Sequence, residues 1–154
     1  MASPEERLRE LGIELPGPAA PAGSYVPTTR AGSIVYVSGS LPRVGGELRV
    51  KGKLGREVTV EQGQQEARQA IINALGSLRA EIGSLDKVRK ILRVEGHVAS
   101  AEGFTQQPQV INGASDLLNE VFGERGLHTR LALGAAELPL GAAVEIAMVV
   151  DVEP

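Results

Sequence analysis

Two side chains carry the chemistry this sequence can offer, Arg130 and Glu145. A guanidinium presents a planar fork of donors that grips a carboxylate at two points. A carboxylate nearby can take a proton from an attacking water when its pKa suits the task. Together they fit hydrolysis of a small substrate that itself bears a carboxylate. The same pair also fits a structural ion pair at a subunit boundary, and the residues alone leave both readings open. Other signatures fail. His97 and His128 lie far apart and lack metal-ligand spacing to a nearby carboxylate, so each reads as a surface or interface histidine. Gly52-Lys53-Leu54-Gly55 lacks the phosphate-loop pattern and reads as a turn. Val37-Ser38-Gly39-Ser40 ends a strand with no helix directly after it, which argues against a serine nucleophile elbow.

The elements that must position Arg130 and Glu145 are legible from their punctuation. Ser3-Pro4-Glu5-Glu6 opens a short helix, with Ser at the N-cap, Pro in the first turn and acids behind it. A proline-rich strap follows over 15–21. Residues 24–30 and 33–38 read as two strands joined at Ala31-Gly32, and 47–50 as a further short one. Thr59-Val60-Glu61-Gln62 is a capping box that opens a long helix closed by Gly83. Ile71, Leu75, Leu78 and Ile82 form its apolar stripe. Over 88–99 the residues alternate, with Val88, Leu92, Val94 and Val98 on the core side. A second helix spans 107–122, and two final strands occupy 129–136 and 142–152.

The predicted order is β-β-(β)-α-β-α-β-β, an α+β fold with two long helices on one face of the sheet. Two helices cannot cover both faces of so wide a sheet, so the other face needs a different cover. In the last strand Val144, Ile146, Met148 and Val150 form the core set, leaving Glu145 on the far face. In the strand before it, Leu131 and Leu133 are expected inside, with His128, Arg130, Ala132 and Gly134 on the far face. Arg130 and Glu145 are therefore expected on the non-helical face of neighbouring strands. That face is small, apolar and sparsely charged, which predicts a contact between subunits.

Composition narrows the rest. A chain of 154 residues suits one domain and needs no staples. Net charge is −3, with Lys and Arg scattered, so no nucleic-acid surface is expected. There is no cysteine, which removes disulfides, thiolate metal sites and a Cys nucleophile together. The acidic start is unlike a basic secretory leader and no membrane-length apolar run occurs, so a cytoplasmic protein without membrane association is expected.

Several of these segments, taken in order, resemble the reactive intermediate deaminase family, also known through a perchloric-acid-soluble liver protein once described as an endoribonuclease. The resemblance rests on Gly23-Ser24-Tyr25, the Val37-Ser38-Gly39 strand end, and the spacing from Arg130 through Leu138-Pro139 to Val144-Glu145-Ile146. It covers residues 22–152, with residues 1–21 forming an added helix and strap before the family-like domain of 22–154. The resemblance implies a chorismate-mutase-like fold, a homotrimer whose bare sheet faces line a barrel, and pockets between subunits. It further implies hydrolysis of reactive enamines and imines to 2-oxo acids and ammonia, with no metal or organic cofactor. Arg130 then matches the carboxylate clamp, Glu145 the acid that handles water, Tyr25 the aromatic that closes the pocket, and Ser38-Gly39 its wall. The family's pocket asparagine falls near Ser115, with Asn112 one turn earlier. Ser40 stands where the family has glutamine, and His128-Thr129-Arg130-Leu131 where it has Pro-Ala-Arg-Ser. A trimer that binds small carboxylates without turnover is the alternative, and a ribonuclease the third reading.

Overall fold

The computed structural model describes residues 2–18, 20–21 and 23–154. Met1, Ala19 within the expected strap and Ala22 at the expected domain start lie outside the described residues. Helix α1 (Pro4–Glu10) begins with a reciprocal cap. The Ser3 hydroxyl accepts from the Glu6 amide at 3.2 Å, and the Glu6 carboxylate accepts from the Ser3 amide at 2.9 Å. Helix α2 (Val60–Ile82) uses the same device at Thr59 and Gln62 and ends at Gly83, whose φ is +88°. Helix α3 (Gln107–Phe122) packs beside α2. Strands β1 (Thr28–Ala31), β2 (Ile34–Ser40), β5 (Val88–Ala99), β6 (Thr129–Ala135) and β7 (Val144–Val152) form one sheet, ordered β1-β2-β7-β5-β6. A separate hairpin joins β3 (Arg43–Val44) to β4 (Glu47–Leu48).

The helices cover one face of the sheet, as the alternation predicts. Val144, Ile146, Met148 and Val150 of β7 are buried against them, with Ile71, Leu75, Leu78, Ile111 and Leu118 on the helix side. Leu8 joins the same core from α1, so the amino-terminal helix is anchored by burial as well as by its cap. No described helix is long and apolar enough to cross a membrane.

Four expectations need correction. Strand β1 starts at Thr28, so Tyr25 lies in the bend before it rather than within a strand. In β5, Ile91 is buried while Leu92 is exposed, because pairing with β7 slips between Val88 and Lys90 and again between Ile91 and Arg93. Each bulge reverses the parity of the residues beyond it. Strands β6 and β7 are not neighbours; β5 lies between them, and β6 pairs with β5 in parallel after the α3 crossover.

The fourth correction concerns the site itself. Arg130 pairs with Val94 and Leu131 with Glu95. Arg130 therefore shares the helical face with Val94 and Met148, while Leu131 and Leu133 stand on the bare face at 41% and 45% exposure. The apolar residues of β6 point away from this chain's core. Hydrophobicity identified the two sets of side chains, but the bare face is apolar too, so the inference ran backwards.

Candidate functional site

The predicted site residues fall into two groups within one chain. The first lines a cavity of about 470 Å³ at the end of β2. Strand β2 leaves its register with β7 between Val37 and Ser40, and the gap opens there. Tyr25, Ser38, Gly39 and Glu145 all line it, together with the strap residues Pro16, Gly17, Ala20 and Pro21. The Ser38 hydroxyl donates to the Val26 carbonyl at 2.6 Å, and its amide donates to the Pro27 carbonyl at 2.9 Å. These bonds sew the Tyr25 segment to β2 and fix the mouth. Gly39 has a steric role. A Cβ there would stand 3.0 Å from Cδ and 3.2 Å from Oε2 of Glu145, so the carboxylate lies directly on the glycine backbone. The Glu145 carboxylate makes no hydrogen bond or ion pair with a described residue.

The floor is supplied by α2, which motif reading missed. Both amide hydrogens of Asn73 are used, donating to the carbonyls of Leu41 and Arg43 at 2.9 Å each. Its oxygen accepts from Gln69 at 2.9 Å. Gln69, Asn73 and Ser77 repeat every four residues along one helix face. That polar row, set into a helix with an apolar stripe, was the available signal. Arg43 also lines the cavity.

The second group surrounds Arg130. Its Nη1 donates to Asn112 Oδ1 at 2.8 Å and to Ser115 Oγ at 3.2 Å, and its Nη2 donates to the Pro108 carbonyl at 3.3 Å. Both helix residues named from the family pattern thus touch it. His128 completes the arrangement. Its Nδ1 lies 2.5 Å from the Gly126 carbonyl and its Nε2 lies 2.9 Å from Ser115 Oγ. A carbonyl can only accept, so Nδ1 carries the proton. The neutral ring then accepts from the Ser115 hydroxyl, and Ser115 accepts from Arg130. Burial pushes the His128 pKa below its ordinary value; the charges of Arg130 and Lys90 push the same way, against the Gly126 bond. Read from sequence, His128 was a surface or interface histidine. Its partner Ser115 is thirteen residues away on another element, beyond any short motif.

Arg130 is tied to neutral groups only, and no ion pair forms between it and a described carboxylate. Of five guanidinium donors, three are engaged, which leaves Nε–H and one Nη2–H open. The expected pairing with Glu145 does not occur within the chain. Register puts Arg130 beside Val94, Val94 beside Met148, and Glu145 three residues along β7 on the opposite face. Strand spacing and rise place the two Cα atoms about 14 Å apart. No cluster of three metal-ligating side chains occurs among the described residues.

Comparison with known proteins agrees with this architecture. The chain is 44% identical over 147 residues to protein TCP17 of Trypanosoma cruzi, covering 94% of this chain and 91% of that protein. The crystal structure of Atu1372 from Agrobacterium tumefaciens, a protein of unknown function, superposes with a TM-score of 0.90 at 42% identity, covering 98% of this chain and 92% of the other. A Shewanella oneidensis structure described as a "putative endoribonuclease" matches with a TM-score of 0.95 at 35% identity, over 98% and 100% of the two chains. The family model described as "YjgF/chorismate_mutase-like, putative endoribonuclease" matches residues 5–152, and the chain belongs to that family.

Proposed function

We propose that the protein is a hydrolytic deaminase that converts reactive 2-imino and enamine acids to 2-oxo acids and ammonia, in pockets completed between subunits of a homotrimer. The observation that carries this reading is the Arg130 guanidinium, held by three neutral acceptors with its charge unpaired and two donors open. Such a group is preorganised for a carboxylate and loses little freedom on binding one.

The two half-sites sit toward opposite edges of the sheet, the cavity on the β1–β2 side and Arg130 on β6. A head-to-tail ring of three copies brings unlike edges together at every contact. One copy's Arg130 then serves the next copy's Tyr25, Ser38-Gly39 and Glu145. The bare face supports the same assembly, because Tyr36, Leu131 and Leu133 are large, apolar and exposed on it.

In the reaction the enamine first becomes its imine tautomer. Arg130 holds the carboxylate while Glu145 takes a proton from water as the oxygen bonds to the imine carbon. Glu145 returns that proton to the imine nitrogen, which gives the neutral carbinolamine; the hydroxyl proton then passes through Glu145 to the amino nitrogen as the carbon–nitrogen bond breaks, ammonia leaves and the carbonyl forms. Ser115 and Asn112 position Arg130. No step calls for a metal or organic cofactor.

The test generates 2-imino acids in situ with an amino-acid oxidase and measures ammonia release. Acceleration over buffer that is lost in Arg130→Ala supports the proposal, and no acceleration across several substrates refutes it. One feature favours a second reading, a binder of small carboxylates without turnover: no described residue hydrogen-bonds the Glu145 carboxylate to hold it in place against an attacking water. An Arg130-dependent thermal shift by 2-oxo acids without ammonia release would select it. Ribonuclease activity is the weakest reading, because net charge is −3 and the chain holds only two Tyr, two Phe and no Trp to stack on bases.

A further inference from the structure

The cavity contains more recognition chemistry than a short imino acid uses. Its volume of about 470 Å³ falls within the range that encloses drug-sized ligands. On the strand wall lies Glu145, against Gly39. Across from it, the side chains of Arg43 on β3 and Ser77 on α2 have no partner among the described residues. The Nε of Arg43 is shut off from solvent without an acceptor, and its guanidinium forms no hydrogen bond or ion pair. Ser77 is only 7% exposed, yet its hydroxyl makes no hydrogen bond, and it lines the same cavity. The buried Nε–H of Arg43 is the costly one, and an occupant that supplies an acceptor removes that cost.

Both residues flank Asn73. Asn73 donates to the Arg43 carbonyl at 2.9 Å, and Ser77 follows Asn73 by one helical turn. Both Asn73 donors are taken by the Leu41 and Arg43 carbonyls, so it has no hydrogen left to give a carboxylate. The strap closes the side between the walls. A Cβ on Gly76 would stand 2.2 Å from the Pro16 carbonyl oxygen, so the strap backbone rests directly on α2 at this glycine. Pro16, Ala20 and Pro21 then present an apolar lining, suited to methylene groups rather than to a second charge.

We infer that this cavity accepts 2-imino and 2-oxo acids whose side chain ends in a second carboxylate, with Arg43 and Ser77 as receptors for that distal group. The inference rests on the proposed deaminase reading for the other end of the ligand, where Arg130 of a neighbouring copy takes the first carboxylate. Arg43 supplies a charged fork and Ser77 a hydroxyl donor, together a carboxylate's complement. The spent side chain lies along the strap. No chemistry occurs at the distal end, so it sets specificity alone.

The test compares 2-oxoglutarate with 2-oxopentanoate, which has the same chain length and no distal acid. Binding to the intact protein is followed by calorimetry and thermal shift, and ammonia release is measured in parallel on the matching imino acids. The wild type is expected to bind 2-oxoglutarate roughly tenfold or more tighter, the scale of one charge-assisted hydrogen bond. Arg43→Met is expected to erase that gap and Ser77→Ala to narrow it. Melting of both variants without ligand shows that they fold; should Arg43→Met fail to fold, Ser77→Ala decides. Equal binding of the two acids by the wild type overturns the inference. So does an Arg43→Met variant that weakens both acids alike, since Arg43 would then be holding the first carboxylate. Absence of ammonia release with the binding gap intact would refute the deaminase and leave the dicarboxylate site standing.

Discussion

Replacing Arg130 with lysine separates charge from geometry at the proposed clamp. The native guanidinium meets Asn112 Oδ1, Ser115 Oγ and the Pro108 carbonyl at 2.8, 3.2 and 3.3 Å and retains two donors. A lysine ammonium carries three donors on a flexible stem. If it reaches those acceptors, its donors are consumed; if it turns to the ligand, it leaves α3 unbonded. Either way the paired hydrogen bonds to a carboxylate are lost while the positive charge remains. Each charge-assisted bond contributes about 1.5–3 kcal/mol, and the retained Coulomb attraction returns part of the loss. A net loss of about 2–3 kcal/mol follows, or roughly 30- to 150-fold weaker binding. Calorimetric titration with 2-oxobutanoate measures it, and the unliganded melting temperature reports whether the fold survives. The interaction that remains should weaken more steeply with added salt, since it is carried by charge alone. Arg130→Lys binding as tightly as the wild type would refute the reasoning, because the fork would then contribute nothing beyond its charge.

Two further predictions concern titratable groups that folding withdraws from water, His128 in part and Glu66 almost wholly. His128 is a base whose folded pKa is depressed by burial, so the unfolded chain binds more protons than the folded one just below the ordinary value of 6.5. Its contribution to stability is complete above that value and is lost as pH falls from there through the folded pKa; His128→Gln should flatten this slope in urea unfolding series run between about pH 5 and 7.5. Glu66 has the opposite sign: it is 3% exposed, its Oε2 has no hydrogen-bond partner, and burial raises its pKa despite the nearby Arg49. The folded state therefore loses stability as pH rises from the ordinary 4.5 through the raised value. Glu66→Gln should melt higher than the wild type at neutral pH, by about 1 kcal/mol, with the advantage shrinking as the solution is acidified toward 4.5.

What the sequence disclosed follows from which signals are local. The N-cap at Ser3, the capping box at Thr59 and the stripe through Ile71, Leu75 and Leu78 depend on residues within a few turns of each other, and they form as expected. The alternation of β7 was equally legible, because this central strand has one face on the helices and Glu145 falls between buried neighbours. Strand β5 deceived only where bulges moved Ile91 inward and Leu92 outward. A bulge leaves little trace in composition. The cavity's helix wall was hidden for a different reason. Arg43 lies on β3, whereas Asn73 and Ser77 lie on α2, and only tertiary packing brings the two elements together.

The reversal in β6 is the instructive failure, since it concerns the residue on which the proposed chemistry rests. Alternation separates side chains into two sets but does not say which set meets the helices. In a monomer the apolar set identifies the core. Here Leu131 and Leu133 face away from the helices, on a surface that also carries Tyr36, so hydrophobicity ceases to discriminate. The discriminating signal was polar and lay on the opposite element. Asn112 and Ser115 stand three residues apart on α3, beside the apolar residues Val110, Ile111, Ala114 and Leu118. Two hydrogen-bonding groups on one helix face call for a partner that can donate to both, and Arg130 is the residue of β6 that does so. Reading an edge strand against the polar exceptions of its covering helix orients it where its own apolar residues cannot, and in this chain that reading turns Arg130 from an interface ion-pair candidate into a guanidinium braced by α3.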